Sequence, residues 1–303
     1  ARLRQVDPGL FKLLGLQRLW GTSPAMWREV ITAAQLQSTS TATVEPANYV
    51  TRQSLEERVC LLRELMSEAD VEDQALFRER LTMSWIYHDS ALEGNVYTPH
   101  ELKAAIDNQI VSDTSLIPVY DEIRQHQQAI ELVRQLAEKK RLPLNLDVLH
   151  KIYAIMDPEE TDHKGLPKYR KDIPLHRLYF HEIAPPDKIA SRMRQVMQGL
   201  NTAETKRSVH TVRMVAKLQF QLLQVYPFPK HSGKIVRLFT NLMLLRQGYP
   251  PCIIHATDRQ RYYEALKTSD AALAHLISES LSAGIESAIK YFEDRPQGGA
   301  QSA

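Results

Sequence analysis

Apolar residues recur at helical spacing through most of the chain from residue 53 onward. Such spacing places the apolar side chains on one face of a helix that packs against a core. One periodic stretch contains Phe77, Trp85 and Leu92 and stops at Gly94, a residue type that commonly ends helices. Further stretches predict helices at about residues 123–136, 148–155, 212–225, 235–245 and 273–285. The pattern therefore predicts an all-α fold.

The stretch from residue 235 to residue 245 is apolar on nearly every side. A helix that is apolar all round is usually buried at the centre of a domain. The stretch is followed by Gly248, Pro250 and Pro251, a combination that stops a helix. We therefore expect this helix to be the innermost one.

Two segments interrupt the helical pattern. Residues 37–48, QSTSTATVEPAN, are polar and β-branched without a helical period, which is typical of a linker. Residues 166–186 are bounded by prolines and also lack the period, which predicts a small β-hairpin or extended flap. We therefore expect an N-terminal extension and linker over 1–48, a helical domain over 49–292 and a disordered tail over 293–303.

The composition bears on which partners and which cell compartment the protein has. The chain of 303 residues has 38 Lys and Arg against 36 Asp and Glu, a balance that gives no support to nucleic-acid binding. No apolar run approaches the roughly 18 residues of a transmembrane helix, and the N-terminus lacks a signal-peptide core. Cys60 and Cys252 lack a zinc-type spacing; a reduced compartment fits them best, although one bridge stays open. These features predict a cytoplasmic protein without a membrane partner.

The loop before the innermost helix carries the candidate chemistry. It reads VYPFPKHSGKIVR over residues 225–237, with Ser232 as the predicted N-cap and Gly233 allowing a tight backbone. The free N–H groups at a helix start attract anions, and Lys230, Lys234 and Arg237 add positive charge. The loop therefore predicts a phosphate site. An ordinary helix-loop-helix corner with solvated lysines stays open as the alternative.

At this loop the sequence resembles the Fic family, whose signature is HxFx[DE]GN[GK]RxxR. The corresponding stretch begins at Tyr226 and matches the signature at Pro227, Phe228, Gly233 and Arg237. Similar stretches flank it in the family's order: DSALEGN, which resembles the end of the inhibitory helix, then GLPKYRKDIPL, RQGYPP and RYYEAL. The resemblance covers about residues 70–292. It implies a Fic-type helical bundle with a hairpin flap, and transfer of AMP from ATP to a protein hydroxyl with magnesium.

The centre of the signature departs from the family. Tyr226 replaces the catalytic histidine, and a phenol with a pKa of about 10 is a poor general base at neutral pH. Lys230 replaces the acidic residue that holds magnesium, so we expect no magnesium ligand from this loop. His231 replaces a glycine; it is either a displaced base or a surface histidine. Ser232 replaces the family's asparagine.

The resemblance assigns roles to several retained positions. Lys234 and Arg237 stand where the family has its two phosphate-binding arginines. Glu93, at the end of an inhibitory helix of about residues 71–93, would pair with Arg237, while Asp89 replaces the hydroxyl residue of that motif. The predicted flap would bind a target protein by strand addition, or pack its aromatic residues on the core; it contains Leu178, Tyr179, Phe180 and His181.

The leading hypothesis is a degenerate Fic-fold protein that binds ATP, another nucleotide or a phosphate-bearing ligand, with impaired transfer and a regulatory role. One alternative is an active transferase with magnesium-independent chemistry based on Tyr226 or His231. Another is a protein-interaction module without a ligand. The expected partners are a protein target at the flap and the nucleotide, and the sequence leaves the oligomeric state open, a homodimer included.

Overall fold

The computed structural model describes residues 52–109, 113–160, 168–174, 181–200 and 210–294. No β-strand occurs in these ranges, and the all-α prediction is confirmed. Their α-helices, in chain order, are α1 Arg52–Glu68, α2 Val71–Glu93, α3 Pro99–Ile106, α4 Ile117–Glu138, α5 Leu146–Met156, α6 Ile189–Leu200, α7 Thr211–Val225, α8 Ser232–Arg246, α9 Arg259–Thr268 and α10 Asp270–Glu293.

Helix α8 forms the centre of the core. Every residue from Ser232 to Leu244 is buried, and the helix packs against α2, α4, α5 and α7. Each fully buried aliphatic side chain contributes about 1.5–3 kcal/mol, so the apolar faces of α8 hold the neighbouring helices around it. The central position predicted from the all-round apolar pattern is confirmed. The first turn of α8 is thereby held deep in the molecule.

Helix α2 brings its C-terminal end to α8. Its first turn is capped by the Asp70 side chain, which accepts a hydrogen bond from the Asp73 N–H at 2.7 Å. Its last turn ends at Gly94 with φ of 101°, where the Gly94 N–H donates to the Ala91 carbonyl and the Asn95 N–H donates to the Ser90 carbonyl. The left-handed glycine satisfies the last carbonyls and fixes where Glu93 lies.

The spacing of apolar residues did not predict the shorter helices α3, α6 and α9. For α3 a local signal was present, since Thr98 and Glu101 form a capping box with Pro99 at the first helical position. This Thr-Pro-x-Glu arrangement is a known start signal. Helices of 8 to 12 residues offer few periods from which to recognise a face.

Some sequence predictions concern residues outside the described ranges. The flap residues Leu178, Tyr179 and Phe180 belong to such a segment, as do residues 1–51 and 295–303. None of the helices in the described ranges is long and apolar enough to cross a membrane. Cys60 and Cys252 are both free thiols.

Candidate functional site

The loop between α7 and α8 turns twice through left-handed backbone. Tyr226, with φ of 48°, ends α7, and His231, with φ of 57°, precedes α8. Between them the loop closes on itself, because the Ser232 hydroxyl donates to the Phe228 carbonyl at 2.9 Å and accepts from the Phe228 N–H at 2.8 Å. These bonds hold the loop tightly against the start of α8.

The predicted N-cap at Ser232 is wrong. The residue in the N-cap position is His231, whose side chain makes no capping bond, and Ser232 is already helical. The left-handed turn at His231 starts the helix at Ser232, one position earlier than a Ser232 cap requires. The fully buried Ser232 hydroxyl serves the loop backbone instead.

Arg237 lies one turn inside α8 and points into the molecule, with 4% of its surface exposed. Its Nε donates to Asp89 Oδ1, and its Nη2 donates to the Asp89 carbonyl at 3.2 Å and to Glu93 Oε1 at 2.8 Å. Its Nη1 donates to the Tyr262 hydroxyl at 3.3 Å. The structure therefore brings the retained arginine and the retained glutamate into one buried ion pair.

Asp89 binds Arg237 from the penultimate turn of α2. Its second oxygen, Oδ2, lies 3.2 Å from Nε2 of His126 on α4, which is fully buried. Burial alone would raise the pKa of Asp89, but Arg237 and His126 outweigh burial and hold that pKa below its ordinary value. Burial lowers the pKa of His126, with Asp89 opposing. Asp89 is therefore a carboxylate and His126 a neutral imidazole at neutral pH.

Lys234 forms an ion pair with a different carboxylate from those that bind Arg237. Its Nζ donates to Oε1 of Glu122 on α4 at 2.7 Å, and 1% of the Lys234 surface is exposed. Burial would raise the pKa of Glu122, but the Lys234 ammonium outweighs burial and the pKa lies below its ordinary value. A buried ammonium without a partner is strongly unfavourable, so Glu122 stabilises Lys234 at this position.

Gly233 lies directly under the Glu93 carboxylate. A Cβ atom on Gly233 would overlap Glu93 Oε1 and would approach Arg237 Nη1 to 2.9 Å. Glu93 therefore covers the N-terminal turn of α8, the position where backbone N–H groups attract negative charge.

The two candidate bases differ in their surroundings. Tyr226 is 6% exposed, and its ring centroid lies 6.4 Å from that of His181, which among the flap residues 178–181 is the one that the structure describes. His231 has its Nδ1 3.9 Å from Glu122 Oε1. Burial, assisted by the Lys234 charge, lowers the pKa of His231 to about 4. His231 is therefore neutral at pH 7 and a weak base.

Lys230 points to the other side of the loop. Its ammonium lies 3.7 Å from Oδ2 of Asp157, the residue that ends α5. The Lys230 side chain is 57% exposed while the Asp157 side chain is 7% exposed. Of the three predicted loop cations, Lys234 and Arg237 therefore share one polar cluster and Lys230 lies in a separate ion pair.

Arg170, in the first part of the segment predicted as a flap, binds the end of α7. Its guanidinium donates to four backbone carbonyls, those of Tyr226 at 2.6 Å, Asp172 at 2.8 Å, Val225 at 3.1 Å and Ala184. The Arg170 N–H also donates to the Pro227 carbonyl at 3.0 Å. Sequence analysis did not single out Arg170, although it lies within the GLPKYRKDIPL stretch.

Sequence analysis also missed Glu122, His126 and Tyr262 as site residues. His126 continues the apolar series of α4 together with Ile123 and Ile130. A polar residue in a buried series is a signal that could have been used, since buried polar groups require partners. Glu122, one position from that series, carries no comparable signal.

Comparison with known proteins connects this site to a family. The Fic/DOC family model matches residues 143–244, which include the loop and most of α8. The chain is 27% identical over 190 residues to "Protein adenylyltransferase Fic" of Drosophila virilis and 26% identical over 190 residues to that of Drosophila sechellia. Residues 143–244 therefore form a Fic/DOC family segment. The match covers 61% of this chain and 37% of the length of each of these relatives.

Solved Fic structures share the fold. A Fic domain containing signalling protein from Bacteroides thetaiotaomicron gives a TM-score of 0.67 at 21% identity, covering 80% of this chain and 98% of that chain. Fic-1 from C. elegans gives a TM-score of 0.62 at 18% identity, covering 90% of this chain and 78% of that chain. Within this Fic fold, the polar cluster described above lies at the start of the central helix.

Proposed function

We propose that this Fic protein binds a nucleotide or another phosphate-bearing ligand at the start of α8, that its transfer activity is absent or strongly impaired, and that its role is regulatory. One observation carries the proposal: two buried cations, Arg237 and Lys234, converge on the amide-rich start of α8 and each holds a carboxylate. A carboxylate and a phosphate use the same charged donors. The site is therefore built for anions and is occupied by the protein's own acidic residues.

The side chains at the site are poorly suited to transfer. A transferase of this class needs a general base with a pKa near neutrality. The Tyr226 phenol is buried, and the low pKa of His231 makes it a weak acceptor for a hydroxyl proton. The loss of a general base reduces a rate by about 10²–10⁴-fold. This is the physical reason for proposing impaired transfer.

The loop does not fit a magnesium ion. At the position of the family's acidic residue the chain has Lys230, whose ammonium repels a cation and is directed to Asp157. We therefore assign no step to magnesium. Lys234 supplies positive charge to a phosphate directly, as a point charge on a flexible stem.

The relatives indicate the class of ligand and target. The curated relatives are named protein adenylyltransferases, so ATP is the first nucleotide to test and a protein hydroxyl is the class of target. The chain spans 37% of the length of those relatives, and both assignments belong to this proposal. Target binding by Leu178, Tyr179, Phe180 and His181 is part of the same proposal.

The proposal predicts that Glu93→Gly strengthens ATP binding. Removal of this carboxylate frees one N–H of Arg237 Nη2 and uncovers Gly233. A hydrogen bond to a charged group contributes about 1.5–3 kcal/mol, which corresponds to a gain of roughly 10- to 100-fold in affinity. Isothermal titration with ATP, with and without magnesium, measures the gain.

The matched control is Glu72→Gly, the same substitution in the exposed first turn of α2, which should leave the ATP affinity unchanged. Incubation with labelled ATP should give no incorporation into protein above background for the wild type or Glu93→Gly. Label that depends on Lys234 would instead support the active transferase. Failure of ATP and of other nucleotides to bind any variant would support the interaction module.

A further inference from the structure

The carboxylate that holds Lys234 belongs to a different helix from the one that holds Arg237. Glu93 ends α2, whereas Glu122 lies in the second turn of α4, and its Oε1 is shared by groups from two other segments. It accepts from Lys234 Nζ at 2.7 Å and from Asn95 Nδ2 at 3.3 Å, and it lies 3.9 Å from His231 Nδ1. Movement of the end of α2 therefore does not by itself remove Glu122.

Lys234 is already paired with Glu122 in this structure. Glu122 is the only acceptor recorded for its ammonium among the described residues, and the side chain of Lys234 is 1% exposed. A ligand phosphate therefore competes with the Glu122 carboxylate for the Lys234 charge. The exchange has an energetic cost, because a strong charge-assisted bond breaks before another forms.

We propose that Glu122 is a second closing carboxylate of the site and decides whether Lys234 takes part in anion binding. The inference rests on the proposed function, since it concerns the same ligand site. Two carboxylates from two helices close the site: Glu93 pairs with Arg237, and Glu122 pairs with Lys234. Release of Glu93 frees Arg237 from that carboxylate but leaves Lys234 paired with Glu122.

The test compares ATP affinities by isothermal titration in Glu93→Gly and in Glu93→Gly/Glu122→Gln. Glutamine keeps the shape and an oxygen acceptor but removes the charge that competes with phosphate. The double variant should bind ATP at least about tenfold more tightly than Glu93→Gly, as expected for one additional bond to a charged group. Adding Lys234→Gln to the double variant should abolish that gain.

The matched control is Asp121→Asn in the Glu93→Gly background. Asp121 is the neighbouring carboxylate on α4; its side chain is 53% exposed and lies 3.8 Å from Arg124. This change removes one negative charge from the same helix without touching Lys234. It should alter ATP affinity by less than about twofold, because exposed ion pairs contribute little. A gain equal to that of Glu122→Gln would show a general charge effect and overturn the proposal.

A second comparison does not depend on the stability of a Glu122 variant. If Glu122 already occupies Lys234, then Lys234→Gln in the Glu93→Gly background should weaken ATP binding by less than about twofold. A loss of tenfold or more would show that Lys234 binds ligand with Glu122 present and would overturn the inference. Equal affinities of Glu93→Gly and the double variant would do the same. Absence of ATP binding in every variant would overturn the proposed function itself.

Discussion

At the scale of single residues, Arg170 shows how one buried side chain organises the approach to the site. The last carbonyls of a helix have no partner within the helix, and those of Val225 and Tyr226 at the end of α7 are satisfied by the Arg170 guanidinium. The same group binds the Asp172 and Ala184 carbonyls, which lie before and after the flap residues 178–181 in the chain. A positive charge is also favourable at a helix C-terminus.

We predict that Arg170→Met lowers the free energy of unfolding by about 3 kcal/mol or more, because several buried carbonyls lose their donor. Urea denaturation followed by circular dichroism measures the change. Lys171→Met is the matched control, since Lys171 is the exposed neighbour and its replacement should change stability by less than about 0.5 kcal/mol. A loss below 1 kcal/mol for Arg170→Met would mean that water replaces the guanidinium.

At the scale of elements, the contact between α2 and α8 depends on a glycine inside a helix. Glycine is less favourable than alanine in a helix by about 1 kcal/mol, yet Gly233 lies in the first turn of the central helix. The reason is the Glu93 carboxylate, which occupies the space that a Cβ would need. Gly233 therefore lets the end of α2 close directly on α8.

We predict opposite effects of Gly233→Ala in two backgrounds. In the wild type the new methyl group displaces Glu93 from Arg237 and should destabilise the fold by about 1 kcal/mol. In Glu93→Gly the space is open apart from the flexible Arg237 side chain, so the alanine should be neutral or stabilising by up to about 1 kcal/mol. Urea denaturation of the four proteins gives the coupling energy, and a coupling near zero would contradict the contact.

At the scale of the whole molecule, buried titratable groups connect stability to pH. Burial lowers the pKa of His88 and of His231 to about 4, with His255 and Lys234 respectively adding to the effect. The unfolded chain takes up protons at these histidines from about pH 6.5 downward, whereas the folded protein does so only near pH 4. Stability from these residues is therefore complete above pH 6.5 and is lost as the pH falls towards 4. The lowered pKa values of Asp89 and Glu122 extend the loss to more acidic pH.

We predict that the free energy of unfolding decreases between pH 7.5 and pH 5, and that His231→Gln removes part of that decrease. The part due to His231 should be on the order of 2 kcal/mol. Urea denaturation at a series of pH values measures it. His100→Gln, the same substitution at an exposed position on α3, is the matched control. A profile that is identical in wild type and His231→Gln would show that His231 titrates normally in the folded protein.

The helical architecture could be predicted from the sequence because helix periodicity is a local property. The spacing of apolar residues in α2, α4, α5, α7, α8 and α10 depends on neighbours three and four positions away. The apolar spacing did not predict short helices such as α3, although the sequence from Thr98 to Glu101 contains the α3 capping box. The cationic loop and its likeness to the Fic signature were likewise present in consecutive residues.

The partners of the cations were decided by tertiary structure. Glu122 and Lys234 are 112 positions apart, and Asp89 and Arg237 are 148 apart. No local rule relates such residues, because their meeting depends on how α2 and α4 pack against α8. The sequence by itself determined the helices, the central position of α8 and a basic turn before it. The resemblance implied the pair of Glu93 with Arg237, but only the packing of three helices determined that Asp89 also binds Arg237 and that Glu122 binds Lys234, since an ion pair requires atoms within about 4 Å and only the fold brings them there.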